Sequence, residues 1–241
     1  MNSEEFVEYY NLIDKYLKNE GGYDSYASFS EKIKGSKNKV VKRFKDELIS
    51  LGELRNAIVH TPKISGRIIA DPHPETVVEI KKLYHMITNP KRVIPAFQFE
   101  VLGANENEFI NDILIKMKEN SFSQFPIFNE EGQVIELINT NTIARWLSDK
   151  VGENGTIMLE KARVKDLIFS IEFKKNYRFI SRETSVFEAY DIFINQIVLK
   201  RRNLDALLIS HSGKETEKLL GIITIEDIAA EIKNEKVHRS G

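Results

Sequence analysis

Three short constellations in this 241-residue chain hold side chains suited to chemistry. In Gly221-Ile222-Ile223-Thr224-Ile225-Glu226-Asp227 an apolar run of strand type stops at a threonine, and a helical pattern begins at once. A hydroxyl at a helix start sits where free backbone N–H groups and the helix dipole favour an anion, so Thr224 can hold a phosphate. Asp227, one turn on, can accept two hydrogen bonds from a ribose diol while Ile222 packs on a base. The same residues also fit a capping box, with Thr224 as cap and Asp227 as the reciprocal carboxylate. A worn copy lies upstream, Glu136-Leu137-Ile138-Asn139-Thr140-Asn141-Thr142-Ile143-Ala144, with Asn139 and Thr142 where Thr224 and Asp227 stand. A threonine cannot grip a diol as a carboxylate does, so Thr142 weakens the ligand reading there. Lys200-Arg201-Arg202 ends a later helical pattern, and if the two copies pack as a symmetric pair Arg202 could hold phosphate beside this second junction; a cationic helix end favoured by the dipole explains the run equally well. The third constellation is Arg55 with His60. Guanidinium binds phosphate bidentately, and imidazole moves protons near neutral pH. On one straight helix a five-residue step leaves two side chains about 140° apart and about 7.5 Å along the axis. These two are therefore expected to aim differently, unless the helix end distorts or two chains face each other. A structural ion pair for Arg55 and a helix C-terminus for His60 are the alternatives.

The elements that must position these residues repeat. A helix over 108–120 precedes the strand Phe125-Pro126-Ile127-Phe128, and a helix over 185–201 precedes the strand Asp205-Ala206-Leu207-Leu208-Ile209. Each half thus reads strand, helix, strand, hairpin, strand, helix, which marks a duplicated supersecondary unit. Neither half has enough strands to cover both faces of its sheet, so the copies are expected to pack about a pseudo-twofold axis with clefts at the seam. A polar connector, 148–165, with Gly152 and Gly155, is expected to be a loop. The first 90 residues read as helical: 4–18, a short helix over 26–34, a long one from Asn38 through Ile58 that Thr61-Pro62 stops, and one over 75–87. Asn89-Pro90 places a domain boundary at about residue 90, giving domains 1–90 and 91–241, with copies at 91–150 and 163–235.

Composition bounds the function classes. With 41% hydrophobic and 29% charged residues the chain suits a globular protein. A net charge of −1 argues against nucleic-acid or membrane binding by overall charge, so either would need a local patch. One exists: Lys32, Lys34, Lys37, Lys39, Lys42, Arg43 and Lys45 could hold RNA phosphates, or form a solvated face. The absence of cysteine excludes disulfides and thiolate metal sites. His73 and His85 look like loop and helix-surface residues rather than ligands, no metal-binding spacing is present, and no metal or redox cofactor is expected. The acidic, polar start and the lack of a long apolar run point to a cytoplasmic protein without a membrane span.

Two resemblances follow. Gly221 to Asp227 is similar to the glycine, hydrophobic, x, Thr/Ser, x, x, Asp ending of a CBS domain; Val164-Lys165-Asp166-Leu167-Ile168 resembles the usual start of one, and Gln124 to Phe128 resembles its second strand. The likeness spans about residues 91–235. It implies an α+β fold in which a helical domain precedes a tandem CBS pair of two β-α-β-β-α repeats. Such a pair is a regulatory module that senses an adenine nucleotide such as AMP, ATP or cyclic di-AMP. The family pattern brings Phe122, Ser123 and Gln124 to the cleft of Ile222, Thr224 and Asp227, and offers their backbone to adenine. Separately, Arg55 to His60 before a helix break resembles the Arg-x4-His motif of HEPN domains, over about residues 1–88. That implies a domain regulated by the pair, either a scaffold or a metal-independent ribonuclease. In the ribonuclease a 2′-hydroxyl attacks the adjacent phosphate, with His60 as acid or base and Arg55 on the phosphorane. Both resemblances imply a homodimer. A purely structural dimerisation protein with vestigial clefts is the remaining alternative.

Overall fold

The computed structural model describes residues 2–60, 71–151 and 162–237, with side chains placed to 232. The chain folds as two units, Met1–Lys91 and Arg92–Gly241.

The first unit is helical: α1 (Asn2–Gly21), α2 (Phe29–Gly35), α3 (Lys39–Arg43), α4 (Lys45–His60) and α5 (Pro74–Thr88). Phe6, Ile13 and Leu17 of α1, Leu48 of α4 and Ile80, Leu83 and Ile87 of α5 are almost fully buried. Each such side chain withdrawn from water contributes about 1.5 to 3 kcal/mol. Two boundaries differ from the sequence expectation. The short helix starts at Phe29 because Ser28 forms a capping box with Glu31: the Ser28 hydroxyl accepts from Glu31 N at 3.2 Å, and the Glu31 carboxylate accepts from Ser28 N at 2.7 Å. The long helix is broken at Phe44, which caps α3 at φ −106°, ψ 28°. Val40, Val41, Phe44 and Leu48 are all buried. Apolar spacing therefore carries through the break, and periodicity does not register it.

The second unit opens with the short turn α6 (Val93–Ala96). It then repeats one order twice: β1 (Ala104–Asn105), α7 (Ile110–Asn120), β2 (Gln124–Phe128), β3 (Val134–Asn139), α8 (Thr140–Lys150), and, after the short α9 (Val164–Leu167), β4 (Tyr177–Ser181), α10 (Val186–Lys200), β5 (Ala206–Ser210), β6 (Gly221–Ile223), α11 (Ile225–Val237). In both sheets the central strand pairs parallel to the first and antiparallel to the last. This is the α+β architecture expected from the repeat. The expected connector is partly helical, since Ser148 to Lys150 close α8 and Val164 and Lys165 lie in α9; Gly152 and Gly155 fall outside the described residues.

Each copy has its own core, around Phe125, Ile127 and Trp146 in the first and Phe193, Leu207 and Ile223 in the second. The lead-in segments cross over. Val93 and Ile94 pack in the core of the second copy, and Val164 and Leu167 in that of the first. Backbone bonds hold the crossing, from Val93 N to Thr184 O at 2.9 Å and from Val164 N to Glu108 O at 3.0 Å. The seam is a third apolar cluster, in which Val134 and Leu137 meet Tyr177, Ala206, Leu208 and Leu219.

Candidate functional site

The strand-to-helix junction of the second copy is built by close approach. Gly221 lies where a Cβ would collide with the carbonyl oxygen of Phe97, so only glycine lets the lead-in segment cross β6 here. Phe99 N then donates to Leu220 O at 3.2 Å, which draws residues 99–102 alongside the cleft. Thr224 caps α11. Asp227 Oδ2 accepts from both Thr224 N and Thr224 Oγ1 at 2.8 Å, and Asp227 N donates to Thr224 Oγ1 at 3.4 Å. The capping box thus forms through one carboxylate oxygen of an exposed side chain, and among the described residues no hydrogen bond engages Oδ1.

Ile222, Thr224, Asp227, Phe122, Ser123 and Gln124, the six residues expected together, line one cavity of about 220 Å³. Phe99, Val101, Leu102, Ser121 and Pro126 complete it. The wall from Phe99 to Leu102 carries no periodic or motif signal, and sequence reasoning missed it. Part of the backbone at the opposite lip is already engaged: Phe122 N donates to Met117 O at 2.9 Å, and Ser123 O accepts from Thr140 N at 3.2 Å. Among the described residues no backbone hydrogen bond engages Phe122 O or Ser123 N.

The corresponding junction of the first copy is closed on itself. Asn139 Oδ1 accepts from Thr142 N at 2.9 Å and from Thr142 Oγ1 at 3.0 Å, and Thr142 is only 3% exposed. Glu136, also buried, accepts from Lys175 N at 2.9 Å and from Leu137 N at 3.0 Å, tying the two copies together. Arg202 lays its guanidinium over the Phe173 ring at 4.5 Å. Its Nε is buried with no partner among the described residues. Asp205, in the place before β5 that Ser123 holds before β2, faces this seam. Burial raises its carboxyl above the usual range, and hydrogen bonds to Asn176 and Asn139, with the charge of Arg202, pull it back. Asn139 and Thr142 are thus bonded to each other, and Arg202 is stacked on Phe173. In the sequence Asp205 stands as an acid at the head of an apolar strand, a pattern that carries no sign of its place at the seam.

In the helical unit the expected divergence of Arg55 and His60 is not observed. Arg55 Nη1 lies 3.1 Å from His60 Nε2, because an arginine arm is long enough to fold along the helix axis although the Cβ directions diverge. Arginine has only donors, so Nε2 accepts in this contact. The guanidinium also contacts Asn56 Oδ1 at 3.3 Å and stands over the Tyr10 ring at 5.4 Å, while its buried Nε has no partner among the described residues. Burial, with the neighbouring Asp14 charge, pushes the Tyr10 hydroxyl up to about 12. Lys32 leaves the basic stretch: it is 5% exposed and paired with Asp14 at 2.8 Å. His73 caps α5 without a side-chain bond, and His85 stacks edgewise on Tyr84 and Tyr9. Among the described residues no helix is long and apolar enough to cross a membrane, and no cluster of three His, Asp or Glu could hold a metal ion.

With this geometry in place, comparison with known proteins decides the family. The model for the CBS domain matches residues 98–149 and 164–234. The chain belongs to the CBS-domain family. Its CBS pair is accordingly a regulatory, ligand-binding module. Similar solved structures include a CBS pair in complex with methylthioadenosine and S-adenosyl-L-methionine, at 16% identity over 61% of this chain and 98% of that one, TM-score 0.43. A CBS-domain protein of Thermoplasma acidophilum shares 14% identity over 63% and 78%, TM-score 0.42. One from Kribbella flavida shares 10% over 56% and 94%, TM-score 0.43. None of the curated proteins compared with the chain matches it.

Proposed function

We propose that the CBS pair senses an adenine nucleotide of the AMP, ATP or cyclic di-AMP kind in the cleft of Ile222, Thr224 and Asp227, and that ligand state modulates the helical domain, residues 1–90. The observation that carries this reading is the single cavity that the six residues line. Its volume of about 220 Å³ holds a base and ribose, below the ~300 Å³ lower bound of drug-sized pockets. Ile222 packs on the base, and Ser123 N and Phe122 O form a donor and acceptor pair for its edge. Asp227 Oδ1 takes the ribose diol, and the phosphates emerge at the N-terminus of α11, beside Thr224. Isothermal calorimetry of the full chain against AMP, ATP, cyclic di-AMP, methylthioadenosine and S-adenosyl-L-methionine tests it. Saturable binding of at least one adenosine compound, with no binding of the matching guanosine compound, is expected. No binding of any would leave a structural dimerisation protein with vestigial clefts. Light scattering is expected to give a homodimer.

A second reading is favoured by the contact between Arg55 and His60. Their meeting on one helix supplies a phosphate ligand and a proton-transfer group side by side from a single chain. In a HEPN-type ribonuclease the Arg55 guanidinium turns from His60 Nε2 to the phosphate, and the freed Nε2 takes the 2′-hydroxyl proton; the 2′-oxygen bonds to the adjacent phosphorus, the bond from phosphorus to the 5′-oxygen breaks to leave a 2′,3′-cyclic phosphate, and the imidazolium passes the proton to the 5′-oxygen while Arg55 holds the phosphorane. Cleavage of a mixed RNA pool in EDTA that is lost in His60→Ala is the expected result; an uncut pool with wild-type protein, with and without nucleotide, makes the helical domain a scaffold.

A further inference from the structure

One fifth of the chain's cations sit in a single corner of the helical unit. Of 35 Lys and Arg, seven lie between Lys32 and Lys45, where there is no Asp or Glu; elsewhere 28 basic residues face 36 acidic ones. The fold sorts this stretch by depth. Ile33, Val40, Val41 and Phe44 are buried beneath it, and Lys32 is drawn inward to Asp14. Lys34, Lys37, Lys39, Lys42 and Lys45 remain exposed, and none pairs with a carboxylate among the described residues. Lys39 and Lys42 lie on α3, about 4.5 Å apart along its axis, Lys45 opens α4 just past the break at Phe44, Lys34 closes α2, and Lys37 lies in the link between α2 and α3.

The corner is held rigidly. Asn38 caps α3 through Val40 N at 2.9 Å, and its amide donates to Ile87 O at 3.1 Å and Tyr16 Oη at 3.2 Å. Ser36 Oγ donates to Glu20 at 2.9 Å. A second feature stands beside it. Tyr26 is 94% exposed, projected by a turn in which Asp24 Oδ1 accepts from Tyr26 N at 2.8 Å and Ala27 N at 3.0 Å. The same loop reaches the lysine corner through Tyr23, whose ring lies against Gly21 and Gly35. Helix α2, seven residues and so about 10 Å long, separates Tyr26 from Lys34.

We infer that this corner binds a single-stranded nucleic acid: the five lysines track the phosphates and Tyr26 stacks on a base. Cations that follow the backbone and an exposed aromatic ring on which a base stacks are the two components of sequence-tolerant strand binding. An anionic membrane fits less well, because adsorption to one calls for apolar side chains beside the cations, and here Ile33, Val40, Val41 and Phe44 are all turned inward. The surface lies outside the nucleotide cleft and depends on neither reading of function above.

The test is fluorescence anisotropy of the full chain with a fluorescein-labelled oligodeoxythymidine. Lacking a 2′-hydroxyl, this strand cannot be cut by the chemistry considered above, so its binding stands apart from cleavage. Wild-type protein is expected to bind with log K falling against log salt at a slope of about −3.5, as five phosphate contacts to a single strand require. Replacing all five lysines by glutamine, with helicity checked by circular dichroism, is expected to weaken binding by at least about 30-fold at low salt and flatten the slope. Tyr26→Ala is expected to weaken it about 5-fold or more at an unchanged slope, and to have no effect on an abasic strand. Equal binding by wild type and the five-glutamine variant overturns the inference. So does binding to phosphatidylserine vesicles with none to the strand.

Discussion

The two strand-to-helix junctions of the CBS pair share backbone order and capping geometry yet present opposite faces to solvent. At α11 an aspartate closes the capping box with one oxygen, and among the described residues no hydrogen bond engages the other. At α8 a threonine closes it, its one hydroxyl is consumed by Asn139, and it is buried. Around the first of these junctions is a cavity; around the second, Arg202 covers Phe173, and Asp205 is half-buried near Asn139 and Asn176. The difference teaches that in a duplicated unit the cap and the ligand group can be one residue, provided it has an atom left over. A carboxylate has two acceptor oxygens and a hydroxyl only one. The closed junction instead joins the copies, since Glu136 bonds across to Lys175.

The most severe way to break this comparison is to give the closed junction the open one's residue. Thr142→Asp is expected to destabilise the CBS pair by about 3 kcal/mol, because a carboxylate would be buried where protein groups already fill the space. That corresponds to a melting temperature lower by about 10 °C. A variant that melts like wild type and binds a second ligand molecule would show the junction to be open after all. Next, Asp227→Asn is expected to weaken nucleotide binding by about 1 to 3 kcal/mol, or about 5- to 150-fold, with the fold intact. Calorimetry with unchanged affinity would assign Asp227 to capping alone. Phe122→Ala, on the lip, is expected to lose about 1 kcal/mol of affinity, and no more than about 0.5 kcal/mol of stability from so exposed a position. Equal losses of both would make Phe122 a packing residue.

The smallest effect concerns Asp205 and is read through pH. Its folded carboxyl is raised by burial, so the folded chain holds this proton to higher pH than the unfolded one. The associated stability is fully present below the unfolded value of about 4 and is lost as pH rises through the folded value. Asp205→Asn removes that loss. Thermal melts are therefore expected to shift in favour of the variant as pH rises from about 4 toward neutrality. A variant less stable than wild type by the same margin at every pH would mean that the seam holds the carboxylate as a favoured anion.

Much of this was legible in the chain. The repeat, the strands around Phe125 and Leu207, and the helix starts at Ser185 and Thr224 are local matters. A side chain reaching three residues along, or an apolar period of two or 3.6, is complete within a short window, so composition and spacing determine it. Residues that the tertiary structure alone decided have partners far away in sequence. Val93 and Val164 each look like the start of the copy they precede, and each is buried in the core of the other. Phe99 becomes a wall of the cleft only because Gly221 lets the chain cross. Lys32 is inside because Asp14 is there, and Arg55 meets His60 because a flexible arm, not a Cβ direction, sets its reach. Burial and pairing are properties of what lies opposite, and the spacing of residues along one strand or helix does not contain that.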